Sequence, residues 1–248
     1  VNMPQDFRHP SRYNLASPGT SNAKTAKAAP KAQGAPAYAN LILYLAPHKV
    51  SGVGNVCPWA GACTKGCLYT AGRGAMNNVQ RARIRRTRLL MQDPATFHDL
   101  FAQDVAAFIA RADAQGYVPV IRANGTSDLP IWRWPAFDRY RDAAIWYDYS
   151  KRDPSVWGDV PGYHRTYSYD PVTDPDFAHS QDALAIGANV AVVFDTPKGD
   201  ALPDTWRDVP VIDGRTHDYR FLDPQGVIVG LSALGKAKGD YSFVQKAG

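Results

Sequence analysis

At 248 residues, with 45% hydrophobic residues, the chain is long enough for one large domain with a sizeable core. Its net charge of +5 permits contact with nucleic acid or another anion without establishing it. Three cysteines argue against a secreted disulfide framework, and the longest apolar run, 183–194, is too short to cross a bilayer. The first residues carry no basic-then-apolar signal pattern, so we expect a cytoplasmic protein without a membrane segment.

The first 37 residues differ in composition from the rest. They are rich in Ser, Asn, Ala, Lys, Pro and Gly and show no apolar period, which is typical of a flexible arm. We therefore predict a flexible basic arm over 1–37, followed by a single α/β domain over 38–248.

The domain begins with a short apolar run at 40–45, which predicts a strand buried on both faces. A loop with all three cysteines follows directly. Helical periodicity then covers 76–91 and, after Asp93-Pro94, 94–115, where Gly116 ends the second helix.

Further elements alternate along the chain. Strands are predicted at 117–122, 143–149, 165–169, 188–194, 209–212 and 226–231, and helices at 132–141 and 176–186. This alternation predicts an incomplete (β/α) barrel with mostly parallel strands. A polar run at 213–220 is expected to close one end of that barrel.

The cysteine loop is the most informative stretch. Cys57, Cys63 and Cys67 follow a C-x5-C-x3-C spacing within eleven residues. Thiolates are soft ligands that suit iron–sulfur clusters, zinc or copper(I), and the glycines at 61, 66, 72 and 74 let backbone amides approach cluster sulfurs. Three thiolates hold a cluster with one iron open. The alternatives are a zinc site completed by His48 or another distant ligand, and three free cysteines.

Polar turns follow the second and third predicted strands. Asn124, Ser127 and Asp128 lie in the first turn, and Lys151 follows the next strand. These side chains suit the ammonium and carboxylate groups of an amino-acid-like ligand, and loops at this position commonly carry function. The alternatives are an N-cap for the short helix after Asp128 and an ordinary surface lysine.

The helix after the cysteine loop is rich in arginine. Its arginines spread around several faces, so they cannot all contact the core, and they suit the backbone of a nucleic acid. Trp132 and Trp134 are available for base stacking, although a solvated helix explains the charges equally well. The predicted nucleic-acid contacts are Arg81, Arg83, Arg85, Arg86 and Arg88.

Three segments resemble a known family. The stretches at 40–47, 57–74 and 221–231 resemble the actinobacteriophage "gene product 88" proteins, and the likeness covers about 38–245. The resemblance implies a phage-encoded protein that acts in the cytoplasm of a bacterial host.

The layout more distantly resembles radical SAM enzymes of the spore photoproduct lyase type. That likeness implies a [4Fe-4S] cluster on Cys57, Cys63 and Cys67 and S-adenosylmethionine at the open iron. Asn124, Ser127, Asp128 and Lys151 would then bind this cofactor, and catalysis would need a reductant. The cysteine spacing is wider than the C-x3-C-x2-C of those enzymes.

Two other functions stay open from the sequence. The cluster would be structural, redox-sensing or electron-transferring in a non-catalytic protein. In the second, the protein is a nucleic-acid-binding module, and a metal bound by the cysteines stabilises its fold.

Overall fold

A mostly parallel sheet forms the centre of the computed structural model, which describes residues 13–19, 36–197, 199–239 and 242–247. The strands are β1 (Ser17–Pro18), β2 (Tyr38–Ile42), β3 (Val118–Arg122), β4 (Ile145–Ser150), β5 (Tyr163–Ser168), β6 (Val190–Phe194), β7 (Thr205–Trp206), β8 (Val209–Asp213) and β9 (Ile228–Ser232). The helices are α1 (Asn77–Gln92), α2 (Pro94–Ala114), α3 (Pro135–Tyr140) and α4 (Ala178–Ala185).

Within the described residues the strands form one sheet in the order β1-β2-β3-β4-β5-β6-β9-β8-β7. Neighbours from β2 to β8 pair in parallel, while β1 and β7 are antiparallel to their neighbours. The predicted α/β class with mostly parallel strands is therefore confirmed. Its curvature into an incomplete barrel stays a prediction.

The predicted elements are present with shifted ends. The helix expected at 132–141 begins only at Pro135, after a separate 3-10 turn at Ile131–Arg133. Trp134 is extended, with φ −87° and ψ 140°, because the ring of a following proline disfavours helical backbone. The strands β1 and β7 are only two residues long, so the sequence shows no periodic pattern of apolar residues for them.

Helices cover one face of the sheet. Phe97, Phe101 and Phe108 of α2 pack on Leu41 and Ile121 of the strands, and all five side chains are essentially inaccessible to solvent. A second buried cluster lies where Ala183 of α4 and aromatic residues from β5 and the segments beside it pack on β6. Burial of this apolar surface provides the main favourable free energy of folding.

The other face of the sheet is covered by the connection between β8 and β9. Asp218 of this connection accepts hydrogen bonds from Arg122 (Nη1–Oδ2 2.6 Å), Tyr147 (3.3 Å) and Tyr149 (3.0 Å). Tyr219 packs beside them on Tyr147. The polar run at 213–220 thus supplies a buried ion pair that holds the connection on the sheet.

The segment 13–19, which is part of the predicted arm, is held against the domain. The buried Asp104 carboxylate in α2 accepts hydrogen bonds from the backbone amides of Asn14, Leu15 and Ala16 at 2.7–2.8 Å. Leu15 and Ala16 are themselves buried. The rest of the predicted arm, except 36–37, lies outside the described residues. In the part of the chain that is described, no helix combines the length and apolarity that a membrane crossing requires.

We expect Asp104→Ala to lower the free energy of unfolding by about 2–4 kcal/mol, because several buried amides lose a charged acceptor. Urea unfolding measures the loss, and hydrogen exchange at Leu15 and Ala16 locates it. Asp113→Ala, an exposed carboxylate on the same helix, is the matched control. Equal effects of the two substitutions would contradict this role of Asp104.

Candidate metal centre

The cysteine loop lies at the carboxyl edge of the parallel strands. Thr126, after β3, donates its hydroxyl to the Leu45 carbonyl at 2.6 Å, and the Asp128 amide donates to the Val56 carbonyl at 2.8 Å. These bonds join the chain after β2 to the turn after β3. Loops at this edge of parallel sheets commonly form ligand sites.

Short 3-10 turns shape the loop itself, at Ala62–Thr64, Leu68–Thr70 and Gly72–Ala75. Gly66 lies against the segment after β9, where an added Cβ would stand 3.0 Å from the Cβ of Ala237. A side chain at position 66 would therefore push the loop away from the sheet. This close approach gives Gly66 a packing role beside the third cysteine.

Cys57 is fixed at the start of the loop. Its Sγ accepts the His48 amide at 3.2 Å and donates to the Thr126 carbonyl at 3.6 Å. His48 itself has a left-handed backbone, with φ 53°. His48 therefore contacts the first cysteine through its backbone.

Asp170, two residues after β5, holds the second cysteine. Its buried carboxylate accepts the amides of Ala62 (3.1 Å) and Cys63 (3.0 Å). The Lys151 ammonium lies 3.8 Å from the same carboxylate. A charged acceptor with several donors makes strong hydrogen bonds, so Asp170 fixes this end of the loop on the sheet.

Lys151 is a half-buried cation at this edge. Its Nζ donates to Ser168 through the carbonyl (2.9 Å) and the hydroxyl (3.1 Å), and to the Tyr169 carbonyl (3.2 Å). The ammonium lowers the pKa of the Cys63 and Cys67 thiols against the larger, opposite effect of burial. Lys151 therefore acts electrostatically on two of the three cysteines.

The other three predicted cofactor contacts lie nearby and bond within the chain. Asn124 Oδ1 accepts the Ser127 hydroxyl at 2.8 Å and the Leu129 amide at 2.9 Å. The Asp128 oxygens accept the Ser150 hydroxyl at 2.9 Å and the Lys151 amide at 2.7 Å. The structure thus brings Asp128 and Lys151 together, and it gives both turns an internal hydrogen-bond network.

All three thiols are half-buried, and burial is the main cause of their raised pKa values. Burial raises the pKa of Cys57 to about 12 and that of Cys63 to about 11, and repulsion from neighbouring thiolates adds to both shifts. Without a metal, these cysteines are therefore protonated at neutral pH. A thiolate must form before it can bind a metal, so metal binding here releases protons.

Arg83 of α1 is a buried cation without an acid partner among the described residues. Its side chain lies against two tyrosines, with Cζ 4.8 Å from the Tyr44 ring and 5.6 Å from the Tyr69 ring. Arg83 is 7% exposed, and its buried Nε and Nη1 atoms have no hydrogen-bond partner in the described part of the chain. Its charge lowers the pKa of Cys67, although burial raises that pKa more.

The predicted row of arginines on α1 divides. Arg81, Arg85 and Arg88 are exposed, whereas Arg86 is half-buried and Arg83 faces inward. The prediction that Arg83 contacts nucleic acid does not fit its buried position. Trp134 is also buried, at 7% exposure, so it is not available for base stacking.

Sequence reasoning missed Asp170 and the inward position of Arg83. Asp170 follows a strand as Asp128 does, so the same rule finds it once β5 is placed. Arg83 shares an inward stripe with Thr87, which is fully buried one turn later and donates to the Arg83 carbonyl at 3.0 Å. The i, i+4 spacing of Arg83 and the polar Thr87 was the sequence signal that could have predicted the inward position of Arg83.

In the described part of the chain, no group of three His, Cys, Asp or Glu side chains meets the geometry for one metal ion. Cluster ligation differs from this case, because each thiolate binds a separate iron. The donor set fits a cluster by chemistry. Three cysteines lie on one loop, Cys67 acts electrostatically on both Cys57 and Cys63, and Lys151 and Arg83 act on Cys67.

Comparison with protein families matches residues 14–247 to the family described as Gene product 88. The chain belongs to the Gene product 88 family. The family resemblance predicted from the sequence is thereby confirmed over nearly the whole chain. No curated protein matches the chain, and no solved structure does. The likeness to radical SAM enzymes stays a prediction.

We expect Asp170→Asn to loosen the cysteine loop of this Gene product 88 protein. An amide in place of the carboxylate cannot accept all the amides that converge on it, and it removes the negative charge beside Lys151. In metal-free protein, the thiols should react several-fold faster with a disulfide reagent, and the midpoint of thermal unfolding should fall. Asp176→Asn, an exposed acid in the same connection, should change neither. Unchanged thiol reactivity in Asp170→Asn would contradict this anchoring role.

Proposed function

We propose that this protein binds a [4Fe-4S] cluster through Cys57, Cys63 and Cys67 and leaves one iron open to another ligand. The observation that carries the proposal is the position of these three half-buried thiols on one loop at the carboxyl edge of the sheet. Cysteine is the usual ligand of iron–sulfur clusters. Three cysteines leave one iron of a four-iron cluster without a protein thiolate.

The charges around the loop support an anionic occupant. Arg83 is a buried guanidinium with no acid partner among the described residues, and such a charge is unfavourable unless a negative charge lies close by. Thiolate ligands make the site negative when the metal is bound, and Arg83 and Lys151 both act on Cys67. The cluster would thereby supply the countercharge that Arg83 lacks among the described residues.

The same edge carries residues suited to a polar ligand beside the cluster. Each Asp128 oxygen accepts one hydrogen bond within the chain, and a carboxylate oxygen has room for a second. Asp128 can therefore accept the ammonium group of an amino-acid-like ligand without giving up its bonds to Ser150 and Lys151. The three cysteines would hold the cluster, and a reduced cluster would supply the electron for reductive cleavage of S-adenosylmethionine bound at its open iron.

The decisive experiment is anaerobic reconstitution with iron and sulfide, followed by metal and sulfide analysis and electron paramagnetic resonance. We expect about four irons and four sulfides per chain, as the cluster stoichiometry requires. Replacing Cys57, Cys63 or Cys67 by Ser should abolish the reduced-cluster signal. Protein that holds one zinc per chain and no iron would overturn the proposal.

A non-catalytic cluster is the second candidate function, and the hydrogen bonding favours it. Asn124, Ser127, Asp128 and Lys151 all bond within the chain, which fits a purely structural edge. Adding S-adenosylmethionine to the reduced cluster distinguishes a radical enzyme from a non-catalytic cluster protein. A changed resonance spectrum with release of 5′-deoxyadenosine supports the radical enzyme, and an unchanged spectrum supports the non-catalytic protein.

Replacing Arg83 by Met should affect the metal-free and cluster-bound states in opposite directions. In the metal-free protein the substitution removes an unpaired buried charge, so the free energy of unfolding should rise or stay constant. With the cluster bound it removes the countercharge, so the reduction potential should fall and iron should be lost faster to a chelator.

Arg81→Met is the matched control, since Arg81 lies on the same helix and is exposed. It should leave both states unchanged. Faster iron loss from Arg81→Met than from Arg83→Met would contradict a specific role of the buried guanidinium.

A further inference from the structure

A cleft of about 180 Å³ opens beside the cysteine loop, and no cysteine side chain lines it. Its walls come from the loop just after Cys57 and from the segment between β3 and α3. The lining includes Pro58, Trp59, Asp128, Trp132, Arg133 and Arg152. The cleft is therefore separate from the proposed cluster ligands, although it begins one residue after the first of them.

Two tryptophans give the cleft its stacking surface. Trp59 is 44% exposed, an unusual degree for so large an apolar side chain, and Trp132 is half-buried on the opposite wall. Exposed aromatic faces beside positive charge are the usual platforms for nucleic-acid bases, because every base has a flat face that stacks.

Arg152 connects the two rings. Its Cζ lies 5.9 Å from the Trp59 ring centre and 5.3 Å from that of Trp132. Within the described residues its guanidinium makes no ion pair, and its Nε is buried without a hydrogen-bond partner. The aromatic rings thus hold in place a cation with one buried donor, Nε, that no described residue satisfies.

The charge of the lining is positive. Arg133 is exposed at the cleft and adds a second guanidinium, while Asp128 is the one acidic side chain among the lining residues. The Asp128 oxygens already accept hydrogen bonds from Ser150 and Lys151, which offsets part of their repulsion of an anion. The lining therefore favours a flat ring that carries a negative group.

We propose that this cleft binds a nucleotide, with the base stacked on Trp59 and the phosphate held by Arg152 and Arg133. The volume holds one base-sized ring, since sites for larger ligands start at about 300 Å³. The nucleotide is either free or one unit of a single strand, because both present the same base and phosphate. This inference does not depend on the cluster, as the cleft consists of other side chains.

Binding is tested on the full chain, both reconstituted with iron and metal-free, by tryptophan fluorescence quenching and calorimetry. The probes are adenosine monophosphate, a single-stranded deoxythymidine pentanucleotide, and ribose 5-phosphate as a ligand with phosphate but no base. A nucleotide probe should bind at least tenfold more tightly than ribose 5-phosphate, because stacking contributes a large part of the affinity. Tight binding of adenosine monophosphate indicates a free nucleotide, whereas tight binding of the pentanucleotide alone indicates a single strand.

Variants locate the site. Trp59→Ala should weaken nucleotide binding about tenfold, and Trp59→Phe should weaken it less, since an aromatic face remains. Arg152→Gln should weaken binding and reduce its salt dependence, and Arg152→Lys should restore part of both. The controls are Leu68→Ala, an exposed apolar residue of the same loop, and Arg139→Gln, an exposed arginine on α3.

Four results would overturn the proposal. One is absence of binding by both nucleotide probes, and another is equal affinity of Trp59→Ala and the unchanged protein. The third is an Arg139→Gln effect as large as that of Arg152→Gln, which would indicate non-specific attraction to a basic surface. The fourth is tighter binding of phosphotyrosine, added as a further probe, than of both nucleotide probes, which would favour a peptide ligand. None of these results bears on iron content, so failure here and failure of the cluster proposal are distinguishable.

Discussion

Parallel pairing of the neighbouring strands β2, β3, β4 and β5 is the constraint on which the rest of the site depends. Because these strands run in one direction, the segments that follow them emerge at one edge. The cysteine loop, Asp128, Lys151 and Asp170 each follow a different strand of this set. The parallel register thus brings together residues up to 108 positions apart, as in the hydrogen bond from the Ala62 amide to Asp170.

Much of this arrangement was predictable from the sequence, because short apolar runs alternating with periodic helices identify an α/β fold. The sequence places Asp128 and Lys151 after successive strands, and in the structure the Lys151 amide donates to Asp128. The sequence could not predict the hydrogen bond between Asp128 and Lys151, since such bonds depend on which backbone amide faces each carboxylate oxygen. The sequence therefore predicted the neighbourhood of the residues and left their individual partners undetermined.

Arg83 and β1 escaped prediction for different physical reasons. An arginine on an amphipathic helix is normally solvated, and only the packing of α1 over Tyr44 and Tyr69 turns this one inward. The strand β1 is too short for periodicity, and the acid that fixes its approach, Asp104, is about ninety positions away along the chain. Long-range charge contacts of this kind leave no local pattern.

Two buried cations illustrate two solutions of one electrostatic problem. Arg122 has a carboxylate at 2.6 Å, that of Asp218, and belongs to the permanent interior of the protein. Arg83 has aromatic faces and no carboxylate among the described residues. Aromatic rings stabilise a cation less than an ion pair with good geometry does. A negative charge bound near Arg83 would therefore stabilise its guanidinium further.

The short strands at the two ends of the sheet have a consequence for the behaviour of the protein in solution. A long unpaired strand at an edge is a template on which a second molecule can add its own strand. Here β1 and β7 are two residues long, and β1 lies beside the apolar, mostly buried β2. Ser17 and Pro18, which follow the residues held by Asp104, cover the β2 backbone at Ile42 and Leu41, so a second molecule cannot add a strand there.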